Sequence, residues 1–281
     1  MKGLALGVAL AACYQPNAVS GVPCAANGQC PGAQLCDFGH APPICVNSLT
    51  LDAAMRDATP DARVDGRPMA DAPGDASAPK VTLVQQATHS AVTGTPLSAV
   101  LPNLPTAGNM LVMVGDSPQA YIMSVTGGGV ASWNSATGSF SACNSEIWYG
   151  VTDGSSATVT IADIGNTMEI WLNVSEWSGL KTAAPLDGAT NGHGAMGAAT
   201  VAPLTTAHAS DLLIFTASTH VPNTYGAPAP GTWTALTPIQ VGQCAQAEWY
   251  SVVGATGSYA PSATQTGGGW DAAIAAFEAA P

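Results

Sequence analysis

The sequence predicts an all-β protein: an antiparallel β-sandwich built from two repeated halves, preceded by a small disulfide knot and a disordered linker. Three observations predict it. From Val81 onward, short apolar or alternating runs are separated by clusters of Gly, Ser, Asn and Pro, the pattern of strands and turns. Only 9% of the residues are charged, against about 25% in a typical domain, which leaves little material for charge-laced surface helices. Residues 143–149 return in altered form as residues 244–250, the mark of an internal duplication.

The chain opens Met1-Lys2-Gly3, runs apolar from Leu4 to Ala12 and reaches Cys13. One positive residue, a short apolar run and a small-residue cleavage site make a signal peptide. The run is too short to span a bilayer as a helix. Leu10-Ala11-Ala12-Cys13 resembles the bacterial lipobox. The resemblance implies removal of residues 1–12, diacylglycerol on the Cys13 thiol and acylation of the new amino group. Three acyl chains anchor durably where one does not. By the same resemblance, Tyr14 rather than Asp after the cysteine points to the outer membrane. The expected address is lipid-anchored, at the cell surface or the periplasmic face.

Seven cysteines are then simple to account for. With Cys13 lipidated, six remain, and an even number in an exported chain implies disulfides. Cys24, Cys30, Cys36 and Cys45 follow a C-x5-C-x5-C-x8-C spacing among Gly and Pro residues. No C-x2-4-C chelate is present, so zinc is not expected. Residues 13–46 read as a lipidated, Cys-rich segment without a core of its own, similar to those that follow the anchor in many surface lipoproteins. Three pairings are open; analogy with EGF-like knots implies Cys24–Cys36 and Cys30–Cys45. Cys143 and Cys244 stand apart from these four, at equivalent positions of the repeat. They are expected to bond to each other and so to place a pseudo-twofold axis beside the strands they begin.

Residues 47–80 have no hydrophobic period, repeat Asp-Ala and include Pro60, Pro68, Pro73 and Pro79. Such composition predicts disorder, here a tether of roughly 30 Å mean span.

The strands expected beyond it are Val81–Gln86, Met110–Val114, Tyr121–Val125, Glu146–Val151, Ala157–Ile161, Glu169–Trp177, Leu212–Ala217, Ala247–Val253 and Trp270–Phe277. Alanines in 271–280 favour helix, but Gly267-Gly268-Gly269 and the repeat favour strand. The repeat aligns Cys143 with Cys244 and Trp148-Tyr149 with Trp249-Tyr250 at an offset of 101. Asn109–Val112, Trp133 and Glu176 match Asp211–Ile214, Trp233 and Glu278 at nearly the same offset. The halves run about 81–184 and 185–281. One sandwich shared between them is preferred over two packed sandwiches, because each half offers few strands and a half-exposed sheet needs a partner. The motifs Gly108-Asn109-Met110-Leu111-Val112, Trp148-Tyr149 and Glu176-Trp177-Ser178-Gly179-Leu180 resemble those of an uncharacterised class of secreted bacterial β-sandwiches. That resemblance implies a jelly-roll-like fold and brings no catalytic residues.

A formal net charge of -12 argues against nucleic acid as a partner. Beyond Val81 the one basic side chain other than histidine is Lys181, so no arginine grips an anionic substrate. Leu111–Ser117 ends in Gly-Asp-Ser and resembles the nucleophile block of GDS-type esterases. No histidine has the Asp three residues before it that this family uses, and the repeat position reads Thr216-Ala217-Ser218. The five histidines form no i,i+2 or i,i+4 pair, so no local metal chelate is visible. Asp153-Gly154 and Asp163–Asn166 read as turns rather than calcium loops. No metal and no cofactor is expected. All seven tryptophans lie in the repeated region. Trp133, Trp148, Trp233 and Trp249 are the candidate ligand-binding residues, for stacking on a neutral glycan, against the alternative of core filling. Trp148 and Tyr149 alternate and must face opposite sides of their strand.

The sequence therefore points to a non-enzymatic binding or structural lipoprotein of the cell envelope, partnered by the membrane and by a glycan or an envelope protein. The alternative is an extracellular hydrolase of a polymer or ester. Glu146, Glu176, Glu248 or Asp116 converging in one cleft would mark the hydrolase, and an exposed row of tryptophans the glycan binder.

Overall fold

A computed structural model of the protein describes residues 35–37, 44–46, 80–92, 96–116, 118, 122–139, 141, 143–163, 169–241 and 244–281. The chain divides into two compact units, Met1–Ala70 and Asp71–Pro281. In the first, β1 (Leu35–Asp37) and β2 (Ile44–Val46) pair antiparallel, with Cys36 opposite Cys45 in the backbone register. The signal, Cys13, Cys24, Cys30, the tether up to residue 79 and the pairing of the four clustered cysteines lie outside the described residues.

Among its described residues the second unit is all β. Its first half contains β3 (Thr82–Ala91), β4 (Leu97–Val100), β5 (Met110–Asp116), β6 (Ile122–Gly127), β7 (Asn134–Ser139), β8 (Ser145–Val151), β9 (Thr158–Asp163) and β10 (Ile170–Ser178). Its second half contains β11 (Leu186–Gly194), β12 (Ala199–Thr200), β13 (Leu204–Thr205), β14 (Leu212–Thr219), β15 (Thr234–Ala235), β16 (Ile239–Val241), β17 (Cys244–Val252), β18 (Ser258–Tyr259), β19 (Ser262–Ala263) and β20 (Trp270–Phe277). The alanine-rich segment is thus a strand, as the repeat required.

Each half makes one large and one small antiparallel layer. In the first, the large sheet has the order β3-β10-β5-β8-β7 and the small one β4-β9-β6. In the second, the large sheet runs β11-β20-β14-β17-β15, with β16 also on β17. Its small layer pairs β12 with β19 and β13 with β18, extended by bridges from Tyr225 to Gln265 and from Ala229 to Ser262. The strand order repeats, so the duplication seen in sequence is a duplication of topology. Each half is a jelly-roll-like sandwich.

The expectation of one sandwich shared between the halves is corrected here: each half closes its own, and the two pack through their large sheets. Three cores record this. Leu111, Met113, Leu172 and Val174 pack with Leu97, Val125, Val159 and Ile161 inside the first half. Leu213, Phe215, Trp249 and Ile274 pack with Ala199, Leu204 and Ala263 inside the second. Between the halves lies a third core, with Met110, Val112, Val114, Ile147 and Trp177 from one side and Leu212, Ile214, Ala273, Ala275 and Phe277 from the other. The large sheets are therefore buried on both faces. This is why β5, β14 and β20 are buried at every residue and read as continuous rather than alternating apolar runs. Alanines 273 and 275 leave room for the large rings that enter the shared core, as facing layers interdigitate.

The contact between halves is reciprocal. Tyr149 meets Phe277 edge-on at 5.2 Å, and Tyr250 meets Trp177 edge-on at 4.8 Å. Equivalent tyrosines thus reach the last strand of the other half, as a twofold relation requires. At one end of the seam Cys143 and Cys244 form a disulfide, with Cα atoms 6.5 Å apart. Both are fully buried beside Trp171 and Ile239.

Candidate functional site

Alternation along the strands decides where each expected site residue goes. On β8, Trp148 turns toward the first half's own core and Tyr149 toward the shared core. On β17, Trp249 and Tyr250 divide in the same way. Trp133 and Trp233 also pack against the inner cores of their halves, and their indole N–H groups donate to Gly127 O and Pro230 O. The four candidate tryptophans are thus split two and two between separate cores, and no exposed row of them forms among the described residues.

The acids do not converge either. Glu146 and Glu176 lie toward the first half's small sheet, opposite Gly115 and Leu111 at different ends of β5. Glu146 accepts from Ile122 N at 2.8 Å and from Trp148 Nε1 at 3.0 Å, and burial above all pushes its carboxyl up. Glu176 accepts from Thr106 N, Asn109 Nδ2 and Gln85 Nε2. Glu248 faces the shared core instead. Its one-residue displacement in the repeat puts it on the other side of its strand. Asp116 is fully buried at the end of β5. Ser117 lies outside the described residues. Its counterpart Ser218 is buried, 2.8 Å from Ser145 Oγ, and donates to Cys143 O.

Cys143, Cys244 and His220 bring ligand-type atoms within 4.8 Å of one another. The two sulfurs are bonded to each other, so neither is a thiolate donor for a metal.

The recess that sequence reasoning missed lies along the edge of the second large sheet. It encloses about 320 Å³ between the 223–225 segment, β17 and the stretch from Ala235 to Ile239. Its walls include Tyr225, Leu236, Ile239, Ala247 and Trp249. Trp249 is backed by Phe215, stacked at 5.6 Å, and meets Tyr225 edge-on at 6.1 Å. The Tyr225 hydroxyl donates to Ala245 O at 3.4 Å, and burial first of all pushes its pKa up, so the phenol stays protonated. Asn223 is committed to Gln265, Gly267 and Thr266. Gln246 donates to Thr216 Oγ1. Among the described residues no basic side chain lines the recess, and burial pushes the Glu248 carboxyl up to about 8. Such a recess suits a small, uncharged, largely apolar group and holds no nucleophile with a base beside it. No signal in the sequence announces it, because its walls come from three segments that are separated along the chain.

Fold and site together define an all-β module of two jelly-roll-like sandwiches with a neutral recess in the second. Comparison of the chain with known protein families, curated proteins and solved structures finds no match.

Proposed function

We propose that this chain is an exported, lipid-anchored, non-enzymatic binding module of the bacterial cell envelope. In this reading Cys13 holds it to the outer membrane, residues 47–80 serve as a tether, and the second sandwich takes an uncharged group of its ligand in the recess beside β17. The single observation that carries the binding reading is that recess: apolar walls, no cationic group and no catalytic pair. The absence of arginine beyond Val81 and the net charge of -12 favour a neutral partner over an anionic one. Among neutral envelope polymers a glycan is the first candidate. The hydrolase alternative has no such support, because Glu146, Glu176 and Glu248 hold separate partners.

A glycan array probed with the detergent-solubilised, lipidated chain tests the reading. Retention of neutral glycans is expected, with a change in tryptophan emission on titration because Trp249 forms a wall of the recess. Failure to retain any neutral glycan defeats the glycan assignment. Turnover of an array member would replace the binding reading by the hydrolase.

A further inference from the structure

The recess beside β17 lies where the first half carries a side chain that the second half lacks. The strand registers fix the equivalence. Glu146 is opposite Gly115 and Trp148 opposite Met113 in the first half. Ala247 is opposite Ala217 and Trp249 opposite Phe215 in the second. Ala247 therefore stands where Glu146 stands. Ile122 pairs with Asp163, and Tyr225 bridges to Gln265, the counterpart of Asp163 at an offset of 102. Tyr225 thus takes the place of Ile122.

In the first half the place is filled. Glu146 is buried, and its carboxyl group gathers two donors. Oε1 accepts from Ile122 N at 2.8 Å, and Oε2 accepts from Trp148 Nε1 at 3.0 Å.

In the second half the glutamate has moved on by one residue, to Glu248. Alternation turns it to the other face of the strand, where Asn173 donates to it. Ala247 has no oxygen to offer Trp249 and fills little of the space. The counterparts of the first-half set, Tyr225, Ala247 and Trp249, all line the recess. The recess is therefore the room that a carboxyl-bearing side chain occupies in the other sandwich.

That origin specifies an occupant. It must bring an oxygen to accept from the indole N–H of Trp249, because a desolvated donor left without an acceptor is costly. An ionised carboxylate would have to enter apolar walls with no basic side chain on them, which is costlier still. A neutral carbonyl group meets both conditions. Trp249 is already held in position, stacked on Phe215 at 5.6 Å and edge-on to Tyr225 at 6.1 Å. Leu236 and Ile239 add walls that suit a methyl group.

We propose that the recess binds the acetamido group of an N-acetylated sugar, its carbonyl oxygen standing in for the Glu146 oxygen that Trp148 meets in the first half and its methyl group lying against the apolar walls. The proposal rests on the glycan reading given above and narrows it to one class of sugar. At about 320 Å³ the recess is larger than a glutamate side chain, so part of the sugar ring follows the acetamido group in.

The test is calorimetric titration of the full lipidated chain, with its disulfides formed, in a detergent without sugar head groups. The probes are N-acetylated chitotriose and cellotriose, which has the same linked rings with hydroxyl groups in place of the acetamido groups. Chitotriose should bind, and cellotriose should bind at least tenfold more weakly. Ala247→Glu copies Glu146, fills the recess and gives Trp249 its acceptor, so it should abolish chitotriose binding while keeping Tm. Should that variant not fold, Trp249→Phe keeps a ring and removes the N–H, and should weaken binding roughly two- to tenfold. Equal binding of the two trisaccharides overturns the acetamido assignment and leaves the glycan reading standing. Undiminished chitotriose binding by a folded variant overturns it as well, by placing the sugar elsewhere. Binding of neither trisaccharide also overturns it, and the glycan array then decides separately whether the wider reading survives.

Discussion

The side-chain amide of Asn173 donates to Oε2 of Glu248 at 2.7 Å, across the boundary between the two halves. Glu248 is almost fully buried, and its Oε1, like Oδ1 of Asn173, meets no partner. Burial, opposed by the Asn173 bond, pushes the Glu248 carboxyl up to about 8. A neutral acid therefore sits between the sheets at ordinary pH.

A pH dependence with a definite sign follows. Unfolded Glu248 ionises near the ordinary glutamate value of 4.5, whereas the folded chain keeps the proton until about 8. The stabilisation is complete below the unfolded value, falls as pH rises between the two, and is lost above the folded one. Tm should accordingly drop from pH 5 to pH 8. Glu248→Gln, neutral throughout, should flatten that slope and be more stable than wild type near pH 8, by an amount on the order of a few kcal/mol. A variant whose Tm tracks wild type across this range would show that Glu248 is ionised in the fold.

The disulfide should contribute heavily to the union of the halves. Cys143 and Cys244 are 101 residues apart in sequence, and closing a loop of that size removes up to about 4.7 kcal/mol from the unfolded state in the chain-entropy account. Replacing both by alanine should lower stability by about 2–5 kcal/mol in urea unfolding. Mass spectrometry of the non-reduced protein should find the bonded peptides, and free thiols at both positions would contradict the fold.

Two glycines separate backbone strain from crowding. Gly127 has φ +82°, and an added Cβ would lie 2.2 Å from Thr158 O. Gly108 has φ +88° with nothing within 4 Å. Gly108→Ala should cost about 1 kcal/mol, the price of left-handed backbone alone. Gly127→Ala adds a clash with the neighbouring strand and should cost about 2–4 kcal/mol. Equal losses in Tm would mean that the approach of β6 to β9 is looser than described.

The anchor gives a cellular test. Cys13→Ala should leave the chain unprocessed or release it from membranes, because no thiol is left to receive lipid. A variant that is processed and still fractionates with membranes like wild type would refute lipidation at Cys13.

Much of the fold was legible because strands and repeats write themselves locally. The run Met110–Val114, the Trp-Tyr pairs and the glycines before Trp270 located β5, β8, β17 and β20 by composition and spacing alone. The equivalence of Cys143 and Cys244 needed only the repeat. The sites were less legible. The sequence required Trp148 and Tyr149 to face opposite ways, and one of them to need a cover from somewhere else. It does not say that a second large sheet supplies that cover, which turned apparent ligand platforms into core. Nor does it say that the displaced glutamate of the repeat, Glu248, turns into the seam beside Asn173.

By itself, then, the sequence determined an all-β chain in two equivalent halves, joined by one predictable disulfide, with Lys181 as the one basic side chain other than histidine beyond Val81. The tertiary structure alone decided that the halves are complete sandwiches stacked through their large sheets and that a recess opens beside β17. The physical reason is range. Side-chain alternation and turn chemistry act within a few residues and leave their period in the sequence. Which face of a sheet meets which partner is set by packing between segments about a hundred residues apart, and that packing has no period to read.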